Sequence, residues 1–202
     1  MAKHEVPKVD LTGTTPVSSP DKAKIARLII GYQAALLVVA AALNLLLLGV
    51  TPAIPGLPEQ PVLIALVLAL CMLVANHMWL MTATELARLR HDIFTTPEEW
   101  AAAGRSEINA SRQGRDAVQR CHNAHRNTTE NTVLFALVAA VFALSTPSVL
   151  AACVWIGGFG VARLGYTYSY LTARTGWRGG FMSASLLALY GMASHLALAL
   201  FL

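Results

Sequence analysis

Apolar residues collect in four long runs along the chain. Ile25–Val50 carries a single charge, Arg27, close to its start, while Val62–Ala83, Thr132–Ala162 and Gly179–Leu202 contain no Asp, Glu, Lys or Arg. An α-helix rises about 1.5 Å per residue, so roughly 20 apolar residues cross a hydrocarbon layer about 30 Å thick. Each run reaches that length, and the third exceeds it. Within the third, Ser145-Thr146-Pro147-Ser148 interrupts the helix, because proline lacks the amide donor and serine and threonine favour turns. The pattern therefore predicts five transmembrane helices, over about 25–50, 62–87, 118–144, 149–171 and 180–201.

Composition agrees with that reading. The chain has 202 residues, is 55% hydrophobic and only 13% charged, against roughly a quarter charged for a soluble domain. The position of the charge says more than its amount. All 15 Lys and Arg residues lie in the segment up to Arg27, between about 88 and 126, or between about 163 and 178. With five crossings these stretches fall on one side, which the positive-inside rule makes cytoplasmic, with the N-terminus inside and the C-terminus outside. The net charge of +4 thus reports orientation in a membrane and gives no reason to expect nucleic acid as a partner. Cys71, Cys121 and Cys153 are odd in number and dispersed, so neither a disulfide framework nor a metal site is expected. Residues 1–24 are expected to form a mobile tail, 25–50 a separate helix, and 62–202 one four-helix domain. Between them Thr51–Pro58 reads as a stiff connector, and Thr96-Pro97-Glu98-Glu99 as a helix start with proline first and acids in the first turn.

Ionisable groups inside apolar helices are costly and point to function or to a buried network. Asn123, Arg126, Asn127 and Glu130 recur at i, i+3, i+4 and i+7, which sets them on one helix face. Arg126 and Glu130 are one turn apart and can pair. That face is too polar for lipid. Arg163, Tyr166, Thr167 and Tyr170 repeat the spacing on the next span, where a snorkelling arginine and an interfacial tyrosine belt are the simpler alternatives. Glu85, Arg88 and Arg90 close the second span, as stop-transfer charges also would. Asn76, His77 and His195 are expected to bond neighbouring helices. Inward-facing arginines with a glutamate suit a ligand that carries carboxylates and an ammonium. Tripeptide glutathione is such a ligand, and a nearby guanidinium would lower its thiol pKa.

The run Arg120 to Glu130, with Arg-x-x-x-x-His-Arg-Asn-x-x-Glu followed by Phe135, resembles the signature helix of the membrane-associated proteins in eicosanoid and glutathione metabolism, the MAPEG family. Met81–Thr84, Arg88 and Phe94–Glu99 resemble the family's first helix and following loop, and Arg163–Leu171 its third helix. The resemblance covers about 62–202. It implies an all-α, four-helix membrane bundle, to which 25–50 is an extra N-terminal helix, and a homotrimer with glutathione held between subunits near the cytoplasmic side. It assigns glutathione contacts to Arg88, Arg126, Asn127, Glu130, Arg163, Tyr166 and Tyr170. It assigns stabilisation of the thiolate to Arg178, in the loop before the last helix. Three positions depart from the family: Asn123 stands where relatives carry arginine, Tyr166 where they usually carry histidine, and Thr128 where aspartate is common.

The expected function is a glutathione transferase, with peroxidase activity as a companion, acting on lipophilic electrophiles that partition into the membrane lipid. The competing expectation is a non-catalytic scaffold or accessory subunit of a hetero-oligomeric membrane complex; prostaglandin isomerisation is a third. The location expected is an endomembrane or organelle membrane in a eukaryote, or the inner membrane of a bacterium.

Overall fold

The computed structural model describes residues 19–202; most of the expected tail lies outside the described residues. Among them are seven α-helices and no strand: α1 (Ser19–Leu43), α2 (Gln60–His91), α3 (Pro97–Ala102), α4 (Arg112–Leu144), α5 (Val149–Ala152), α6 (Gly158–Leu171) and α7 (Thr175–Ala199). A π-helical turn, Asn44–Leu48, continues α1, and another, Cys153–Gly157, joins α5 to α6. Five stretches are long and apolar enough to cross a membrane: Lys22–Leu48, Gln60–His91, Arg112–Leu144, Val149–Leu171 and Thr175–Ala199. The chain is an all-α, multi-pass integral membrane protein, as its apolar runs predict.

The helices run past the predicted spans at one end. α2 continues to His91 and α4 begins at Arg112, so the charged residues beyond the apolar cores remain helical. α2 stops where Asp92 takes a left-handed conformation (φ 52°) and its N–H bonds back to the Arg88 carbonyl. Ser111 starts α4 by accepting a hydrogen bond from the Gly114 N–H at 3.0 Å. The predicted break between the third and fourth spans is present. Thr146 has φ 50°, and the Ser148 hydroxyl caps α5 by accepting from the Ala151 N–H.

The chain divides into two compact units, residues 1–35 and 36–202. In the described part of the first, Lys22, Lys24 and Arg27 lie near the start of α1, ahead of its uncharged stretch. In the second, α6 packs most extensively on α7, and α2 on α4 and α6. The core centres on Phe135, stacked on Phe159 at 4.2 Å, with Phe142, Trp155, Ile156 and Met192 around them. Many large apolar side chains point outward, among them Ile64, Leu68 and Val74 on α2 and Leu134, Leu137 and Val141 on α4. In water that surface would drive aggregation; in a bilayer it meets lipid.

The two ends of the bundle are built differently. At one, the connector expected to be stiff is tied down: Gly56 N–H bonds to the Leu144 carbonyl at 2.9 Å and Ala53 N–H to the Ala199 carbonyl at 3.3 Å. At the other, the α2–α4 connection folds into the predicted short helix. Thr96 and Glu99 form a reciprocal capping box on α3, Pro97 occupies its first turn, and Trp100 is buried with its ring edge-on to Phe94 at 5.0 Å. The Glu98 amide and the Thr96 hydroxyl hold the Glu98 carboxyl below the ordinary carboxylate range. Its contribution to the local fold is therefore present near neutral pH and lost as pH falls through that lowered value. Thr96→Ala is expected to cost about 1 kcal/mol, read as faster amide hydrogen exchange across Pro97–Ala102; unchanged exchange would show that Trp100 alone holds the turn.

Candidate functional site

The expected site residues gather at the arginine-rich end of the bundle, where α2 and α6 finish and α4 and α7 begin. Arg163 is their inner anchor. It is fully buried, so it does not snorkel. Its guanidinium donates to the Asn127 Oδ1 at 3.0 Å and the Thr128 Oγ1 at 2.7 Å, and lies over the Tyr166 ring at 4.4 Å. Asn76 on α2 reaches the Arg163 carbonyl at 3.5 Å. The contacts continue outward: Tyr166 tilts against Tyr170 at 5.5 Å, and the Arg178 guanidinium sits over the Tyr170 ring at 5.0 Å. Asn127, Arg163, Tyr166, Tyr170 and Arg178 thus form one continuous chain of polar and aromatic contacts across α4, α6 and α7.

Arg178 is not in a loop. α7 starts at Thr175, and the Arg178 N–H already bonds to the Arg174 carbonyl at 3.0 Å. Gly176, Gly179 and Gly180 read as loop residues because glycine is a poor helix former. Packing overrides that propensity. Trp177 stacks on Phe181 at 6.1 Å, and the Phe181 ring lies so close to Gly165 of α6 that any side chain there would collide with it. Arg178 therefore stands in the first turn of a 25-residue helix, where unpaired N–H groups add positive potential to its own charge. It lines a polar hollow of about 260 Å³ together with Arg120, Asn123 and Tyr170.

The remaining predicted residues face another way. The stripe of α4 buried within the chain includes Cys121, Ala124, Thr128, Asn131, Phe135 and Ala139. Asn127 is at its edge, and Arg126 and Glu130 are exposed beyond it. Among the described residues the ion pairs are Arg88–Glu85, Arg105–Asp92 and Arg112–Asp116. Arg126 and Glu130, close enough in sequence to pair, are absent from these: both project outward into a hollow shared with His122, His125 and Thr129. Arg88 joins this outer group, bonding Glu85 at 2.6 Å and lying 3.2 Å from His122. His77 meets His125 at 3.0 Å, as expected of a residue that bonds a neighbouring helix. His195 does not: it is buried edge-on to Phe142 at 5.0 Å, and neither ring nitrogen has a hydrogen-bond partner.

The MAPEG family profile matches residues 64–198, from α2 to the end of α7. The chain belongs to the MAPEG family. Among curated relatives, microsomal glutathione S-transferase 1 of Rattus norvegicus is 34% identical over 118 residues, which cover 57% of this chain and 76% of the relative. The proteins of the same name from Bos taurus and Mus musculus are 33% and 31% identical, with the same shares covered. The MAPEG match begins at α2, so α1 and the connector lie outside it.

Thr128 bears directly on the buried Arg163. A neutral hydroxyl faces the guanidinium, and among the described residues no carboxylate pairs with it. The Arg163–Thr128 hydrogen bond already has an ionised donor, and an aspartate would add an ionised acceptor, worth about 1–2 kcal/mol more. Thr128→Asp is accordingly expected to raise thermal stability in detergent by about that much. A lowered unfolding temperature would mean that desolvating the new carboxylate outweighs the pairing.

Proposed function

We propose that this chain is a membrane glutathione transferase that conjugates the glutathione thiolate to lipophilic electrophiles drawn from the bilayer. The observation that carries the reading is the contact chain Asn127–Arg163–Tyr166–Tyr170–Arg178, next to the open face of Arg126 and Glu130, in a MAPEG chain whose curated relatives are named glutathione transferases.

Arg126 and Arg88 offer planar forks for the ligand's carboxylates, and Glu130 an anion for its ammonium. Asn127, fixed by Arg163, presents its amide N–H groups at the rim, and Tyr166 supports both Arg163 and Tyr170. Arg178 faces the thiol. A thiol pKa near 8.5 falls beside a guanidinium, so the proton leaves to solvent and the thiolate attacks the electrophilic carbon directly. A carbon–sulfur bond forms, and the leaving group departs with its electron pair. The protein supplies proximity and charge stabilisation rather than a nucleophile of its own. Reduction of lipid hydroperoxides by the same thiolate is the accompanying peroxidase reading.

The outward face of Arg126 and Glu130 is too polar for lipid. The reading therefore includes a homotrimer in which a second copy covers it and completes the site. Calorimetric titration of the detergent-purified full chain with glutathione, combined with native mass spectrometry, tests both parts. Saturable binding to a homotrimer is the expected result. No binding, with a single copy found inside a hetero-complex, overturns the enzyme reading in favour of an accessory subunit.

A further inference from the structure

A second cleft, of about 820 Å³, opens at the same end between α2, α4 and α6. None of Arg88, Arg126, Asn127, Glu130, Arg163, Tyr166, Tyr170 or Arg178 lines it. Its rim is basic: Arg90 and His91 come from the last turn of α2, Arg112 and Arg120 from the first turns of α4. Asp116 is the one carboxylate among its lining residues, and Arg112 reaches it only at 3.9 Å. Arg90 and Arg120 take part in none of the ion pairs among the described residues. Three guanidiniums and an imidazole therefore converge on one hollow with a single acid to balance them.

The inner wall has the opposite character. Leu86 of α2 and Leu171 of α6 line it with small alanines. The basic rim stands where the apolar span of α2 gives way to charge, the stretch of a transmembrane helix that meets lipid headgroups. A hollow that is basic outside and apolar inside suits an anion joined to hydrocarbon. Basic pockets between transmembrane helices are suited to anionic headgroups, and each basic residue close to a headgroup adds about fivefold to affinity.

We propose that this cleft binds the phosphate headgroup of an anionic phospholipid, with the glycerol and first acyl carbons along the Leu86–Leu171 wall. Arg90, Arg112 and Arg120 hold the phosphate, and the lipid ties the ends of α2 and α4 together. The cleft shares Arg120 and Asp116 with the hollow beside Arg178 but contains none of the residues proposed to contact the thiol ligand, so the proposal stands whether or not that reading holds.

The test uses the full chain in nanodiscs of phosphatidylcholine containing one fifth phosphatidic acid, with retained lipid counted by native mass spectrometry. Phosphatidic acid is expected to be retained about tenfold over phosphatidylcholine relative to its abundance. The double variant Arg90→Gln/Arg112→Gln is expected to abolish that preference, since two residues at about fivefold each outweigh the tenfold excess. The charge-matched variant Arg115→Gln/Arg174→Gln, outside the cleft, is expected to keep it. Equal retention of both lipids by the wild-type chain would overturn the proposal without reference to any variant. So would an equal loss in the charge-matched variant, which would reduce the effect to diffuse surface charge. Inorganic phosphate that displaces phosphatidic acid at equal concentration would overturn the lipid assignment in favour of free phosphate.

Discussion

Arg178→Ala is expected to abolish the ultraviolet absorbance of glutathione thiolate bound to the purified protein and to slow conjugation of an activated aryl halide by roughly 10²–10³-fold. The expectation follows from placement. The Arg178 guanidinium is held over the Tyr170 ring at 5.0 Å, in the first turn of α7, so its charge is fixed in direction rather than swinging in solvent. Without it, the thiol pKa should return towards about 8.5. The pH–rate profile of the variant then moves to higher pH, and activity recovers partly in alkaline buffer. Arg178→Lys keeps the charge and loses the stacked planar fork, so it is expected to be intermediate. A variant that loses turnover at every pH with its thiolate signal intact would show that Arg178 acts on fold or on electrophile binding instead.

Much of this architecture is legible in the sequence because lipid permits few alternatives. A bilayer offers backbone groups no water, so apolar runs of sufficient length must be helical, and Ile25–Val50 or Val62–Ala83 could be read directly. The α3 cap was equally open, since Thr96, Pro97 and Glu99 each favour the same local geometry. Side-chain direction was harder. The spacing of Arg126 and Glu130 set them on one face, but pairing depends on what else that face meets, and here both project outward. Arg163 could be read as a snorkelling cation or an inward one; only the positions of Asn127 and Thr128 on a helix 35 or more residues away decide it. The start of α7 was hidden because glycine propensity argued against a helix that Trp177 and Phe181 stabilise through packing. The basic cleft is illegible in the sequence for a similar reason: Arg90 reads as a stop-transfer charge until α4 brings Arg112 and Arg120 alongside it.

Asn44 marks the limit of such reading, and its replacement carries the second large effect. It is one polar residue in an apolar run, Leu43 to Leu48, and nothing nearby in sequence explains it. In the folded chain it is fully buried. Its Nδ2 donates to the Gly191 carbonyl at 2.8 Å and the Ser194 Oγ at 3.0 Å, while its Oδ1 accepts from Trp155 Nε1 at 2.8 Å. These partners lie 111 to 150 residues further along the chain. Gly191 permits the arrangement because the Trp155 ring packs where a side chain would stand. Hydrogen bonds between helices in a bilayer average about 0.6 kcal/mol and reach about 1.7, so the three together contribute roughly 2–5 kcal/mol. Asn44→Leu, which keeps the branched heavy-atom shape and removes all three, is expected to lower stability in detergent by about that amount and to raise hydrogen exchange over the end of α1. Asn44→Asp keeps the acceptor for Trp155 but places an uncompensated charge in the core, and is expected to be worse. If Asn44→Leu instead unfolds at or above the wild-type temperature, apolar packing alone docks the turn that carries Asn44. The chain would then hold that turn without a polar lock, and a Leu run at this position would serve as well as the asparagine.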